Sequence, residues 1–469
     1  MTERGSGTAV CWLRNDLRSS DNPALAYALR HHRAVLCLYI DSAQAPADPP
    51  AADWWRYAAL LDLAGQLDGR LLLRSGDAQQ VLAQVIEEFG AEAVYWNREY
   101  QPAALQRDRA IKADLKERGL RVASFPGNLL FEPWEVLKAD DSPYRVFTPF
   151  YKAAMARGLA ASYAELPTDF RARLLPVQCD LALLRERQPQ APWAQGFAKY
   201  WQPTRTAAEQ RLAQFREQAL GDYAERRNRP DLDGCSRLSP YLHVGQLGPR
   251  EIAAKLQGCD KAEPYLRELL WREFAVYILY HWPHTLDEPM DKRFEAVPWQ
   301  DDPQALSAWQ QGRTGIPLVD AGMRELWQTG FMHNRVRMVV ASFLTKHLLI
   351  DWREGARWFM YTLLDADQAN NSMGWQWSAG SGVDAAPYFR IFNPVSQGER
   401  FDPNGDYVRR WVPELARLPD KYLNQPWAAP AGILEAAQLR LGDNYPRPLI
   451  DLAAGRKRAL QVWEKIKGQ

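Results

Sequence analysis

The sequence predicts an α/β unit joined to an all-helical one: a doubly wound, parallel five-stranded sheet over residues 6–130, a long connector over 131–200, and an all-helical domain over 201–469. The first indication is alternation. Short β-branched or apolar runs at the N-terminal end alternate with amphipathic helical stretches, the pattern of a parallel sheet covered on both faces. Prolines then punctuate a mixed segment, and beyond it the strand signal fades while helical periodicity runs to the end.

Taken in order, Thr8–Leu13, Ala34–Ile40, Leu71–Arg74, Ala93–Asn97 and Leu120–Phe125 read as strands. Ala52–Leu67, Ala78–Phe89 and Ala104–Arg118 between them carry helical patterns, and Gly119 suits a helix C-cap before the fifth strand. Pro133, Pro143, Pro149, Pro167 and Pro176 mark the connector. Two long helices stand out further on, Glu263–His281 and Met332–Leu349. The second follows a break at Gly330, and Pro317 suits the first turn of the helix before that break. No internal repeat or low-complexity tract is present.

With 469 residues the chain exceeds a single core, and 46% hydrophobic residues let two or three domains bury real interiors. No apolar run reaches the ~18 residues of a membrane helix, and Met1–Gly7 has no apolar signal-peptide core. Cys11, Cys37, Cys179, Cys235 and Cys259 are scattered without CxxC spacing. This argues against a disulfide framework or a metal site and for a reducing cytoplasm. A net charge of +1 gives no global attraction to nucleic acid, so any such partner must meet a local patch. Tryptophan is abundant, with 19 copies clustered toward the C-terminal half.

No glycine-rich GxGxxG loop follows the first strand, which disfavours an ordinary dinucleotide fold; the chain there reads WLRNDLR at Trp12–Arg18, then Asp21, Asn22 and Pro23. Such a turn suits either a helix cap or a specific motif. Gly234–Gly245 (GCSRLSPYLHVG) places Ser236, Arg237 and Ser239 at a probable helix start, where free N–H groups suit a diphosphate or an ordinary N-cap. Glu268 and Trp271 are three apart on a predicted helix and share a face. There a ring can stack on an extruded base while a carboxyl group bonds its edge; a core tryptophan beside a solvated glutamate is the plainer alternative. Arg335 and Arg337 are two apart, roughly 200° around a helix, so one can face phosphate and the other inward. An inward arginine demands a carboxylate, and Asp365 and Asp367 are the candidates.

These segments together resemble the DNA photolyase/cryptochrome family over almost the whole chain, most nearly the bacterial class I cyclobutane pyrimidine dimer photolyases. Asn334 and Met338 stand where (6-4) photolyases carry paired histidines, and Gly374–Ser378 (GWQWS) and Asp384–Pro394 separate the chain from DASH cryptochromes. The resemblance implies an all-helical FAD-binding domain, an antenna-type α/β domain, and a carbon–carbon lyase that splits dimers by light-driven electron transfer from reduced FAD. It assigns FAD contact to Tyr223, Cys235, Ser236, Arg237, Leu238, Ser239, Arg337, Asp365, Ala366, Asp367 and Asn371, with Arg337 paired to Asp365 and Asn371 beside flavin N5. A tryptophan relay is implied at Trp375, Trp352 and Trp299. Glu268 would bond the flipped dimer between Trp271 and Trp377, with Arg227, Asn334, Arg335, Met338 and Gln397 as further contacts to DNA or lesion.

The implied partner is damaged DNA, single- or double-stranded, bound by a monomer that stays off membranes and works in the cytoplasm, at the nucleoid when on DNA. A second, antenna chromophore is left open. Folate-binding members carry an Asn-Glu pair where Ala103 and Ala104 stand in the stretch Asn97–Asp108, so a deazaflavin, another chromophore or none remain. A cryptochrome-like blue-light sensor and a (6-4) photolyase are the alternatives; the chain ends soon after Tyr445–Ile450 without the long tail expected of the former.

Overall fold

The computed structural model describes residues 5–41, 50–159, 165–385 and 387–468. Residues 1–4 of the polar N-terminal stretch and Ala386 of the 384–394 motif lie outside them. The chain divides into two compact units, one formed by residues 1–194, 201–218 and 236–283, the other by 195–200, 219–235 and 284–469.

The first unit holds the sheet. Its strands are β1 (Gly5–Leu13), β2 (His32–Asp41), β3 (Leu72–Ser75), β4 (Ala91–Asn97) and β5 (Arg121–Phe125), all parallel in the order β3-β2-β1-β4-β5. Four helices lie between them: α1 (Pro23–His31), α2 (Ala51–Gln66), α3 (Ala78–Phe89) and α4 (Pro102–Glu117). Strand residues of one parity, Val10, Leu36, Val94 and Trp96 among them, pack with Leu82, Val85, Ile111 and Leu115 of α3 and α4. Tyr95, of the other parity, meets Tyr27 of α1 edge-on at 5.1 Å, so the sheet is covered on both faces. The sequence pattern did not single out α1, which is short and opens with Pro23 after the N-cap Asn22, whose side chain accepts from Leu25 N at 3.1 Å.

The WLRNDLR turn is a structural staple. Arg14 donates to both carboxylate oxygens of Asp108 at 2.8 Å and to Asn97 O. Arg18 is wholly buried and donates to Asp21 O, Gly127 O, Gly245 O and the Asn128 amide oxygen. Gly245, at φ +72°, is required here because a Cβ would run into the Asn15 carbonyl and Asp16 backbone. The N-terminal WLRNDLR turn and Gly245 thus meet within one unit.

Helix Glu263–His281 follows its expected bounds in this unit. Buried Glu273 accepts from Leu130 N (2.8 Å) and Phe131 N (3.3 Å), while Arg272 donates to Asn128 O at 2.9 Å, so the helix grips the segment leaving β5. Burial pushes the Glu273 carboxyl up to about 8.

In the second unit, helix Pro317–Thr329 begins at its proline and breaks at Gly330, as expected, and Gly330 takes a left-handed conformation. The single helix anticipated over Met332–Leu349 is instead an α-helix, Asn334–Ser342, running into a π-turn, Phe343–His347, and stopping at Leu349 with φ +55°. Every residue from Val339 to Ile350 is buried, so the run offered no polar phase from which the change of winding could be read. Helices Trp352–Thr362, Gln368–Ala379, Pro394–Phe401 and Leu452–Ile466 complete what bears on function. Among the described residues no helix is long and apolar enough to cross a membrane, no cluster of His, Cys, Asp and Glu is placed to hold a metal, and the five cysteines are free thiols.

Candidate functional site

The expected site residues fall in both units. Ser236–Ser239, Glu268 and Trp271 belong to the first; Tyr223, Arg227, Cys235 and everything from Trp299 onward belong to the second.

In the first unit, the 236–239 loop turns at Arg237, which sits at φ +51°. The Ser236 hydroxyl accepts from Leu238 N (3.3 Å) and from Tyr265 OH (3.0 Å), and Leu238 is wholly buried. The helix that follows, Ser239–His243, is a single turn opening on Pro240, so its dipole is small and the loop's own backbone groups must do most of any anion binding. Glu268 and Trp271 are both half-buried on helix Glu263–His281.

In the second unit, the arginines two apart do separate. Arg337 donates through Nη2 to both oxygens of Asp365 at 3.1 and 3.0 Å and through Nε to Met332 O at 2.8 Å. Of the two candidate carboxylates, Asp367 serves differently: it caps helix Gln368–Ala379 by accepting from Asn370 N at 2.8 Å, with buried Ala366 between them. Arg335 turns to Asn228, donating to its Oδ1 at 2.6 Å, with its guanidinium 4.3 Å from the Phe401 ring centre. Burial and the neighbouring Arg227 and Arg400 hold its pKa below the ordinary arginine value. Arg227 itself lies over the buried Tyr223 ring at 5.6 Å. Cys235 Sγ is 3.5 Å from His333 Nε2, and His333 caps helix Asn334–Ser342 by accepting from Arg335 N. Asn334 Nδ2 reaches Met338 Sδ at 4.0 Å.

Asn371 Nδ2 donates to Ala356 O at 3.0 Å, leaving Oδ1 as its acceptor end. Trp375 is buried against Phe359 (5.0 Å, edge-on) and Trp309 (6.1 Å), and among the described residues its indole N–H has no partner. Gly355 lets the helix bearing Trp352 close on that ring, because a Cβ there would enter the Trp375 six-membered ring. Trp352 is buried, and half-buried Trp299 packs on a cluster of Phe294, Val297 and Leu349. Trp377 stacks on Phe392 at 6.4 Å, and the Gln397 side-chain oxygen is buried with no partner among the described residues. The set suits a flavin: a charged pair, an amide oxygen able to accept, and an indole N–H buried without a bond among the described residues.

Arg400, Asn228 and Phe401 escaped the sequence reading. The available signal was spacing, since Gln397 and Phe401 lie four apart on helix Pro394–Phe401 and so share a face, with Arg400 just before the second.

A family model described as the FAD binding domain of DNA photolyase matches residues 265–465, and one described as DNA photolyase matches residues 9–170. The class is therefore that of a flavin-binding protein with an α/β unit before a helical domain. The chain is 43% identical over 468 residues to the deoxyribodipyrimidine photo-lyase of Agrobacterium fabrum, covering 98% of each. It is 35% identical over 477 residues to cryptochrome-2 of Arabidopsis thaliana, covering 96% of this chain and 77% of that one. A solved class III photolyase from Agrobacterium tumefaciens superimposes with a TM-score of 0.94 at 41% identity, covering 100% and 99% of the two chains. The chain belongs to the DNA photolyase family, with cryptochromes among its relatives. Within the family, the affinity to class I enzymes suggested by the motifs has to be widened, since the solved relative just described is titled class III.

Proposed function

We propose that the protein is a light-driven DNA repair enzyme that splits cyclobutane pyrimidine dimers in single- or double-stranded DNA. The observation that carries this is the arginine group in the second unit. Half-buried Arg335 has two arginines, Arg227 and Arg400, and an amide as its electrostatic neighbours, and its Nε is buried without a bond among the described residues. Like charges held together this way favour an anion, and a DNA phosphate supplies one.

FAD, when bound and reduced, supplies on absorbing blue or near-UV light the electron that opens the cyclobutane ring and takes it back. The chain's residues do the rest. The 236–239 loop is the proposed holder of the cofactor's diphosphate; Tyr223, Cys235, the Arg337–Asp365 pair, Ala366 and Asp367 are proposed as further FAD contacts, and Asn371 Oδ1 would accept a proton from flavin N5. Glu268 bonds the pyrimidine edge of an extruded dimer, and Trp271 and Trp377 are each proposed to stack on it. A dimer is cheap to extrude because it is already poorly stacked. Asn334, Met338 and Gln397 complete the lesion contacts, and Trp375, Trp352 and Trp299 form the route that re-reduces the cofactor. The 6–130 region then acts as the antenna-type domain, 131–200 as connector and 201–469 as the catalytic domain.

The cryptochrome relative supports one rival, a light sensor with no turnover. Illuminating reduced, flavin-loaded protein with a dimer-containing oligonucleotide separates them. Loss of dimers is expected; intact dimers favour the sensor, and loss of (6-4) lesions alone favours the other repair chemistry. Glu268→Ala is expected to cut repair per photon about two- to tenfold with FAD retained, and an unchanged yield removes Glu268 from the chemistry.

A further inference from the structure

Trp271 has one face already occupied. The Phe147 ring lies 3.7 Å from it, centre to centre, with the planes 10° apart, a closer and flatter stack than any other aromatic pair described in the first unit. Phe147 is wholly buried at the start of helix Phe147–Ala156, with Pro149 in its first turn. Phe274 meets both rings edge-on, Phe147 at 5.7 Å and Trp271 at 5.9 Å, and Phe150 backs Phe274 at 5.0 Å. The guanidinium of Arg267, one turn before Trp271, lies 5.0 Å from the Phe147 ring centre and 4.9 Å from that of Tyr151, and the Tyr151 hydroxyl donates to Glu263 at 2.6 Å. Trp271 itself is only half-buried. The indole is therefore a plate mounted on a rigid ring, with surface left over for a ligand.

We infer that Phe147 is a positioning residue for lesion recognition: it fixes the plane of Trp271 so that the free indole face meets a flat, extruded pyrimidine pair without first having to order itself. This rests on the reading that Trp271 contacts the lesion. An indole free to rotate about its side-chain torsions would have to be immobilised on binding, which weakens association. A stacked phenyl ring removes that freedom beforehand, and it acts only on ligands that stack. Intact duplex, held through its phosphates, gains nothing from it.

The test is binding by flavin-loaded, full-length protein to a dimer-containing and to an undamaged oligonucleotide of the same sequence. Phe147→Leu keeps apolar bulk and loses the ring. It is expected to weaken dimer binding about three- to tenfold, leave undamaged-DNA binding and FAD content as they were, and raise the mobility of the Trp271 side chain seen by fluorescence anisotropy. Phe147→Tyr keeps the ring and is expected to restore dimer binding. If Phe147→Leu loses its flavin, Phe147→Met carries the same expectation. Equal weakening for both oligonucleotides, or no recovery with Phe147→Tyr, would make the residue merely structural and overturn the inference. Trp271→Ala separates the two layers: if it loses dimer preference while Phe147→Leu keeps it, only the backing role fails. If Trp271→Ala binds dimers as before, the lesion contact and the inference fall together.

Discussion

Arg18 in the first unit and Arg335 in the second are both arginines in polar, motif-like stretches, yet their surroundings differ in one respect that sets their roles. Arg18 is fully buried, and its guanidinium satisfies three carbonyls and an amide oxygen, with each of its three nitrogens bonded. Arg335 is half-buried and, among the described residues, has one amide partner, an Nε without a bond and two arginines for company. A saturated cation holds a fold together, whereas an under-satisfied one among like charges waits for an anion. Residue type and motif context did not distinguish them; the number of partners does.

Removing Arg18 should produce the largest effect. Arg18→Met leaves the carbonyls of Asp21, Gly127 and Gly245 buried without a donor, which is expected to cost roughly 3–5 kcal/mol. Chemical unfolding monitored by far-UV signal would show it. A variant as stable as the parent would mean that the WLRNDLR turn is no staple, and the contrast with Arg335 would collapse.

Glu273 tests the same contrast from the acid side. Its carboxyl accepts two backbone N–H groups in the first unit and is raised by burial to about 8, against an ordinary glutamate near 4.5. A raised carboxyl binds its proton more tightly in the folded state. Its stabilising contribution is therefore complete below pH 4.5 and is lost as pH climbs through 8. Glu273→Gln keeps an acceptor oxygen and cannot ionise, so relative to this variant the parent is expected to lose roughly 3–4 kcal/mol between pH 5 and 8. Unfolding curves for both proteins across that range check it, and parallel pH profiles would show that Glu273 does not titrate there.

The same distinction explains what could be read from the chain beforehand. The five strands and helix Glu263–His281 were legible because alternation and periodicity report which face of an element is buried. The Arg337–Asp365 pair was legible because a charge turned inward needs a counter-charge and the family resemblance pointed to Asp365. Phe147 and Arg400 were not. Phe147 looks like any core aromatic, and its stack on Trp271 joins residues 124 positions apart. Arg400 is an exposed arginine on a short helix, and only folding sets it beside Arg335. The change to a π-turn at Phe343 was hidden for the opposite reason, since a run buried on every side carries no phase.

Arg335→Gln should show the smallest effect, and the most specific. If the group is an anion site, the variant folds with stability within about 0.5 kcal/mol of the parent and retains FAD, because the one hydrogen-bond partner abandoned, Asn228, is only half-buried. Its affinity for DNA should fall about three- to tenfold at moderate salt, and the slope of log affinity against log salt should drop by about one, as one phosphate contact and its released counterion disappear. The loss should be the same on damaged and undamaged strands, since phosphate contacts carry no lesion information. A slope that does not change would place Arg335 with Arg18 as a structural cation despite its missing partners. A loss confined to dimer-containing DNA would move it from the phosphate backbone to the lesion itself.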